Sequence, residues 1–421
     1  MNETMNPPKG LPGRPARGQS AAAIKCQICG GVTYAGVDLG HQPVGDLLLT
    51  PRQLNQPETY YPLRLQHCET CGLTQLSYIV NPKVVYKHFP FVSGTTQTAT
   101  RHLQSLPKQL VKMLGLTRDS FAVDIGSNDG TLLKGYLPDG VKFLGVDPSG
   151  DPVRMANEQG IETLHAFFNS ETARHIERNW GKANAITACG VFGHIADLEE
   201  VMKGVKSLLA ARGVFATDSQ YWLDTMQKVH YDNMFHQHLR YYSVKPLIYL
   251  FEQYGMDVFD VERSDVYGGS IRVFACHKNE YPISERVTKL AALEEQEGLY
   301  SQAANEAFAR RVEQRQQKLF ADVYQLVAEG KKVVGIGAPA KASTICNYCG
   351  LGPGLVQYIA EINPLRIGKY LPGVHIPIVD EEQMFADPRP ADAAILFAWN
   401  YYGEIMPKLQ RRGFGGRLLQ P

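Results

Sequence analysis

The spacing of apolar positions changes several times along the chain, and each change marks a different kind of structure. From residue 121 a short apolar run interrupted by Asp124 leads into a turn carrying Gly126 and Gly130, then an amphipathic stretch, then a second apolar run over 141–146 that closes on Asp147. Strand, glycine turn, helix and strand in that order predict a βαβ unit, whose parallel strands are buried on both faces. Strand-like runs at 185–188 and 214–217 follow, separated by helical text such as 195–210. This alternation predicts a doubly wound α/β sheet. Over 219–243 no clean period survives, and aromatic rings and histidines crowd together with too many polar groups for a core helix. That segment reads as the wall of a cavity. Residues 285–330 are helical and charged throughout, a connecting pair that reads as a solvated spacer, and at Lys331 strand and turn return to form a second, smaller α/β lobe. Residues 1–25, rich in Pro, Gly, Ala and Arg, show no period and read as a flexible leader. The expected divisions are 1–25, 26–105, 106–284, 285–330 and 331–421.

Composition narrows the class. The chain has 421 residues, 44% of them hydrophobic and 20% charged, enough for two or three cores. Lys plus Arg number 43 against 42 Asp plus Glu, so neither nucleic acid nor an anionic membrane is an expected partner. No apolar stretch approaches a membrane span of roughly 20 residues, and no secretory signal opens the chain, which predicts a cytoplasmic protein. The oligomeric state is not readable, and a monomer is compatible with everything above.

Four of the eight cysteines, Cys26, Cys29, Cys68 and Cys71, form two C-x-x-C pairs. Two such turns present four thiolates to one ion, the closed set that structural zinc takes, and a lobe with so little core would draw much of its folding free energy from the metal. Cys346 and Cys349 repeat the spacing but follow a turn into a helix and read as buried small residues; Cys189 and Cys276 likewise read as structural.

The glycine turn after residue 125 lets backbone approach a ligand at the carboxyl ends of the strands, and Asp147 is placed to accept ribose hydroxyls. A dinucleotide fingerprint would ask for G-x-G-x-x-G. Only Gly126 and Gly130 are present, so S-adenosylmethionine fits better than a pyrophosphate.

Four strings add to this picture: Asp124 to Gly130, Val191 to Ile195 with His194, Gly268 to Arg272, and Gly335 to Lys341. With the cysteine pairs, in this order and spacing, they resemble the sugar C-methyltransferases. That resemblance implies a small zinc-binding N-terminal lobe, a Rossmann-like class I methyltransferase domain with a seven-stranded sheet, and a smaller Rossmann-like α/β C-terminal lobe. It implies S-adenosylmethionine held by Asp124, Gly126, Asn128, Gly130 and Asp147, and a small-molecule substrate, a nucleotide-linked ketodeoxysugar methylated beside its ketone. His238 aligns with the base of the family and His194 with a second histidine near cofactor and sugar; His236 completes the catalytic candidates. Phe91, Phe235 and Gln237 fall on substrate-contacting positions, and Gly337 and Lys341 belong to a strand-to-helix turn able to receive a diphosphate.

The sequence departs from that family where relatives carry tyrosine at 91 and 235 and a carboxylate at 237. Two hydroxyl donors and one carboxylate are replaced by Phe91, Phe235 and Gln237. Tyr231, Tyr241 or Tyr242 are the candidates to substitute. Three readings stay open: ketosugar C-methylation, methylation of another keto or hydroxy metabolite, and a non-catalytic homologue that binds cofactor and nucleotide sugar. A fourth, nicotinamide binding at the Gly335 turn with Glu361 as its acidic residue, is the weakest.

Overall fold

The computed structural model describes residues 24–85 and 92–421. Phe91 and nearly all of the leader lie outside the described residues.

The N-terminal lobe is an antiparallel sheet of β1 (Thr33–Gln42), β2 (Tyr61–Cys68) and β3 (Thr74–Leu76). Its fourth strand, Arg240–Tyr241, arrives from the segment that the sequence marks as a cavity wall, and pairs with β3. In β2 every second side chain from Leu63 on is buried, the alternation expected of a strand with one face on a core.

Seven strands form the central sheet: β4 (Phe121–Ile125), β5 (Lys142–Asp147), β6 (Thr163–His165), β7 (Ala183–Cys189), β8 (Leu209–Gln220), and, after β9 (Arg240–Tyr241), β10 (Met256–Ser264) and β11 (Ser270–His277). Their spatial order is β10-β11-β8-β7-β4-β5-β6, with β11 antiparallel to both neighbours and the rest parallel. The helix Gln97–Leu114 covers one face through Leu106 and Leu110, begins on the Thr96 hydroxyl and ends at Gly115 in a left-handed turn.

The C-terminal lobe is a parallel sheet of β12 (Val333–Ile336), β13 (Ile359–Glu361), β14 (Ile378–Asp380), β15 (Ala393–Leu396) and β16 (Arg417–Leu419), in the order β14-β13-β12-β15-β16. In both parallel sheets the first strand has neighbours reached by connections running in opposite directions. A crevice therefore opens at the carboxyl ends of β4 and β7 and of β12 and β15.

The helices Glu285–Gln296 and Gln302–Ala328 join the two sheets, and here the solvated-spacer reading is corrected. Val287, Phe308, Val312, Leu319 and Val323 are buried. Glu294, fully buried, accepts hydrogen bonds from the Tyr221 hydroxyl at 2.8 Å, the Val244 N–H at 2.8 Å and the Tyr300 hydroxyl. Charge along these helices hides a load of packing, because the pattern is charged on average and apolar on one narrow stripe. Among the described residues no helix is long and apolar enough to cross a membrane.

Candidate active site

The four sulfurs of Cys26, Cys29, Cys68 and Cys71 lie within 4.8 Å of one another. Cys26 and Cys71 are 3.5 Å apart, Cys29 and Cys68 3.3 Å. Backbone N–H groups of Ile28, Gly31 and Cys71 point at Cys26, Cys29 and Cys68 sulfurs at 3.4 Å, as knuckles that carry thiolate charge require. A Zn–S bond of about 2.3 Å puts the corners of a tetrahedron about 3.8 Å apart, so the donor set fits zinc and leaves no open position. Cys346 and Cys349 are buried in the helix Ala340–Cys349, away from this cluster, as read from the sequence.

A cavity of about 660 Å³ opens at the carboxyl ends of β4, β5, β7 and β8, and the other two lobes close it. On its wall Gly126 has φ +71°, and a Cβ there would come within 2.6 Å of Val191, so only glycine lets the turn lie this close to the loop after β7. Asp147 accepts the N–H of Asn128 at 3.0 Å and of Ser149 at 2.7 Å. Burial pushes its carboxyl upward, and the two donors oppose that. The Asn128 side chain accepts the Ser93 N–H at 2.9 Å, tying the segment before the Gln97–Leu114 helix across the glycine turn. Asp124 stands behind the wall, bonded to the Thr187 hydroxyl at 2.6 Å, and burial raises its pKa to about 7. Gly130 packs on Ile161, away from the cavity.

On the same wall His238 donates Nδ1–H to the Asn233 carbonyl at 2.7 Å, which leaves Nε2 as the unprotonated nitrogen. Its ring lies 4.8 Å from that of His194 and 3.8 Å from that of Phe235. Burial, then His194 and Lys341, hold its pKa well below the ordinary value, and burial alone lowers His194 to about 4. Lys341, on the first turn of the Ala340–Cys349 helix, has its ammonium 3.9 Å over the Trp399 ring, 3.6 Å from Asp232 and bonded to the Asn400 side chain. Burial brings its pKa to about 8.

The structure thus brings Gly126, Asn128, Asp147, His194, Phe235, His238 and Lys341 to one cavity. The other candidates sit elsewhere. His236 turns to the N-terminal lobe, with Nε2 3.4 Å from the Tyr61 carbonyl. Gln237 reaches the wall only through Asp46, to which it donates at 3.3 Å. The Gly337 N–H is spent on the Ala360 carbonyl at 2.8 Å, and Glu361 takes the Ala338 N–H at 2.8 Å, so the backbone donors expected for a diphosphate at this turn are turned inward. Tyr231, Tyr241 and Tyr242 are buried off the wall, with hydroxyls at Cys349, the Asn233 carbonyl and the Phe192 carbonyl. Cys189, read as structural, lines the cavity.

Sequence reasoning missed the Asp46–Arg366 ion pair of 2.9 Å that joins the outer lobes at the wall, and the His102–Asp218–Arg272 cluster at the end of β8. Their members are scattered along the chain and carry no local pattern. Tyr267 and Tyr401 were also missed, although Tyr267 directly precedes the quoted glycine pair.

The three-lobed fold, the thiolate cluster and the cavity at the strand ends define an S-adenosylmethionine-dependent methyltransferase with structural zinc. Family models agree: residues 26–86 match a zinc binding domain, 99–261 a methyltransferase domain, and 265–421 the C-methyltransferase C-terminal domain. The C-methyltransferase NovU of Streptomyces niveus is 33% identical over 402 residues, covering 94% of this chain and 95% of NovU. The chain belongs to the C-methyltransferase family. Among solved structures, magnesium protoporphyrin IX methyltransferase of Synechocystis PCC 6803 with bound S-adenosylhomocysteine is 13% identical, over 47% of this chain and 100% of that one, at a TM-score of 0.37. A Clostridium acetobutylicum S-adenosylmethionine-dependent methyltransferase is 15% identical, over 44% and 94%, at 0.34.

Proposed function

We propose that this protein removes a proton from the carbon beside the ketone of a nucleotide-linked deoxysugar and methylates the enolate so formed, working in the cytosol, where four thiolates stay reduced for zinc. The observation that carries the reading is His238, a neutral imidazole with its tautomer fixed by the Asn233 carbonyl, on the wall of a cavity shared by all three lobes. A proton next to a ketone is far less acidic than water at neutral pH can remove quickly, so a positioned base with a free lone pair is the first requirement. His194, also neutral, packs against the base and keeps a second positive charge out of the pair. His236 holds the wall from behind. Gly126 and Asp147, backed by the Asn128 N–H, take the cofactor, which supplies an electrophilic methyl group. The Lys341 ammonium, at a helix N-terminus, offers charge to the diphosphate.

The test is calorimetric binding of S-adenosylhomocysteine to wild type, Asp147→Ala and His238→Asn, followed by methyl transfer to a panel of nucleoside diphosphate ketosugars. Removing Asp147 costs the equivalent of one hydrogen bond to a charged group, about 1.5–3 kcal/mol, so affinity should fall roughly ten- to a hundredfold. His238→Asn should keep that affinity and lose transfer. A wild type that binds no S-adenosylhomocysteine would sink the reading. Phe235 and Gln237 favour one second reading, a different keto metabolite, and binding of the cofactor product with no ketosugar turned over would select it.

A further inference from the structure

Stabilising the enolate oxygen needs a hydrogen-bond donor, and the tyrosine hydroxyls that would supply it in relatives are replaced by Phe91 and Phe235 here. We propose that Tyr267 and Tyr401, a hydroxyl pair formed between the central sheet and the C-terminal lobe, provide that donor, with Tyr401 touching the acceptor oxygen; this rests on the enolate reading above.

Among the described residues of the cavity wall, Tyr267 and Tyr401 are the phenols. Tyr267 sits in the turn between β10 and β11 at φ 57°, ψ 21°, a left-handed conformation that a bulky residue keeps only where packing enforces it. The packing is visible. A Cβ on Gly268 would stand 2.4 Å from Trp399, and one on Gly269 2.4 Å from Asp224, so the turn is pressed between the C-terminal lobe and the Asp224–Arg263 ion pair. The Tyr267 ring lies edge-on to His102 at 5.8 Å and to Tyr401 at 6.3 Å.

Tyr401 stands edge-on to Tyr267 at the seam and follows Asn400, to which the Lys341 ammonium is bonded on the same cavity wall. Burial pushes both phenols up, so both keep their protons at neutral pH. A phenol that keeps its proton has one O–H to donate, and an enolate oxygen in the cavity is an acceptor for it. In the reaction His238 Nε2 takes the proton from carbon, the C–H electron pair becomes the enolate double bond, and the carbonyl pair moves onto the oxygen that Tyr401 holds. The enolate carbon then forms its bond to the methyl as the methyl–sulfur bond breaks, its pair staying on sulfur, and His238 releases its proton to water.

The experiment follows the proton alone. Full-length zinc-loaded protein with S-adenosylhomocysteine is mixed with thymidine diphosphate 4-keto-6-deoxyglucose in D₂O, and NMR reads deuterium entering beside the ketone. Tyr401→Phe should lower the exchange kcat about 10²- to 10³-fold, the loss typical of one oxyanion donor, with KM and S-adenosylhomocysteine affinity little changed. Tyr267→Phe should show a smaller loss of the same kind, and it serves as the test if Tyr401→Phe does not fold. Exchange at the wild-type rate in folded Tyr401→Phe overturns the tyrosine assignment and leaves the enolate reading standing. No exchange by wild type, with S-adenosylhomocysteine bound, overturns the enolate reading and this proposal together.

Discussion

The base proposed at His238 has to be uncharged at neutral pH, and burial does that work before any neighbour adds to it. The same burial sets a pH signature. His194 and His236 both fall to about 4 from an ordinary 6.5. Above pH 6.5 neither folded nor unfolded chain binds those protons; between 6.5 and 4 the unfolded chain takes up protons that the folded chain refuses, so stability drops as pH falls, and below about 4 the loss levels off. Asp124 runs the other way: with its pKa raised from 3.8 to about 7, its contribution is complete below 3.8 and is lost as pH rises through 7. Denaturant midpoints measured from pH 4 to 7 should therefore rise less steeply with pH in His194→Phe and more steeply in Asp124→Asn than in wild type; unchanged slopes would contradict the burial described here. At this scale the sequence was most informative for His238, His194 and Asp147, each inside a recognisable string. It misplaced His236, because two histidines two residues apart in an irregular loop give no sign of which one faces inward.

The two-residue strand β9 is the element on which the acceptor wall depends. Leu76 donates its N–H to the Leu239 carbonyl at 2.9 Å, and Leu239 donates to the Gly193 carbonyl at 2.9 Å, so the residue after His238 is clamped between the zinc lobe and the loop that carries His194. Gln75, opposite Arg240 in that pairing, accepts the Gln27 N–H at 2.7 Å and donates to the Lys25 carbonyl at 3.1 Å. The zinc knuckle thereby reaches the His238 loop through a single strand. Gln75→Ala should leave zinc content intact and speed amide exchange at Leu76 and Leu239, read by hydrogen-exchange mass spectrometry; unchanged protection there would show that the knuckle does not brace the wall. The parallel strands β4, β5, β7 and β8 were legible, since burial on two faces writes a continuous apolar run, whereas three-residue strands such as β6, β14 and β16 are too short to write one. β9 was not, because a strand this short has no period of its own and its partner belongs to another sheet.

Over the whole molecule, the N-terminal lobe is fitted to the C-terminal one at the cavity rim. A Cβ on Gly45 would stand 2.5 Å from the Ala340 carbonyl oxygen, which is backbone at the start of the Lys341 helix and cannot swing away. Leu49 and Tyr370 exchange backbone hydrogen bonds at 3.0 and 2.9 Å, and Asp46 pairs with Arg366 nearby. Gly45→Ala should push the lobes apart at Lys341 while leaving the Asp147 end alone. An overpacking cost of about 1–3 kcal/mol predicts roughly ten- to a hundredfold weaker binding of thymidine diphosphate, with S-adenosylhomocysteine affinity unchanged, both by calorimetry. Equal loss of both ligands would mean that the lobes do not divide the cavity this way.

The sequence by itself determined what local chemistry can write: four thiolates at knuckle spacing, a glycine turn between two buried strands, an acidic strand end, and a histidine in an aromatic loop. Each is a short-range pattern whose residues act on their own neighbours in the chain. The tertiary structure alone decided which side chains share the cavity, that the Gly337 turn spends its own donors, that the charged helices bury Glu294, and that hydroxyls absent at Phe235 are present at Tyr267 and Tyr401. Those outcomes depend on where three separate sheets come to rest against one another, and packing between distant segments leaves no period in the sequence to read.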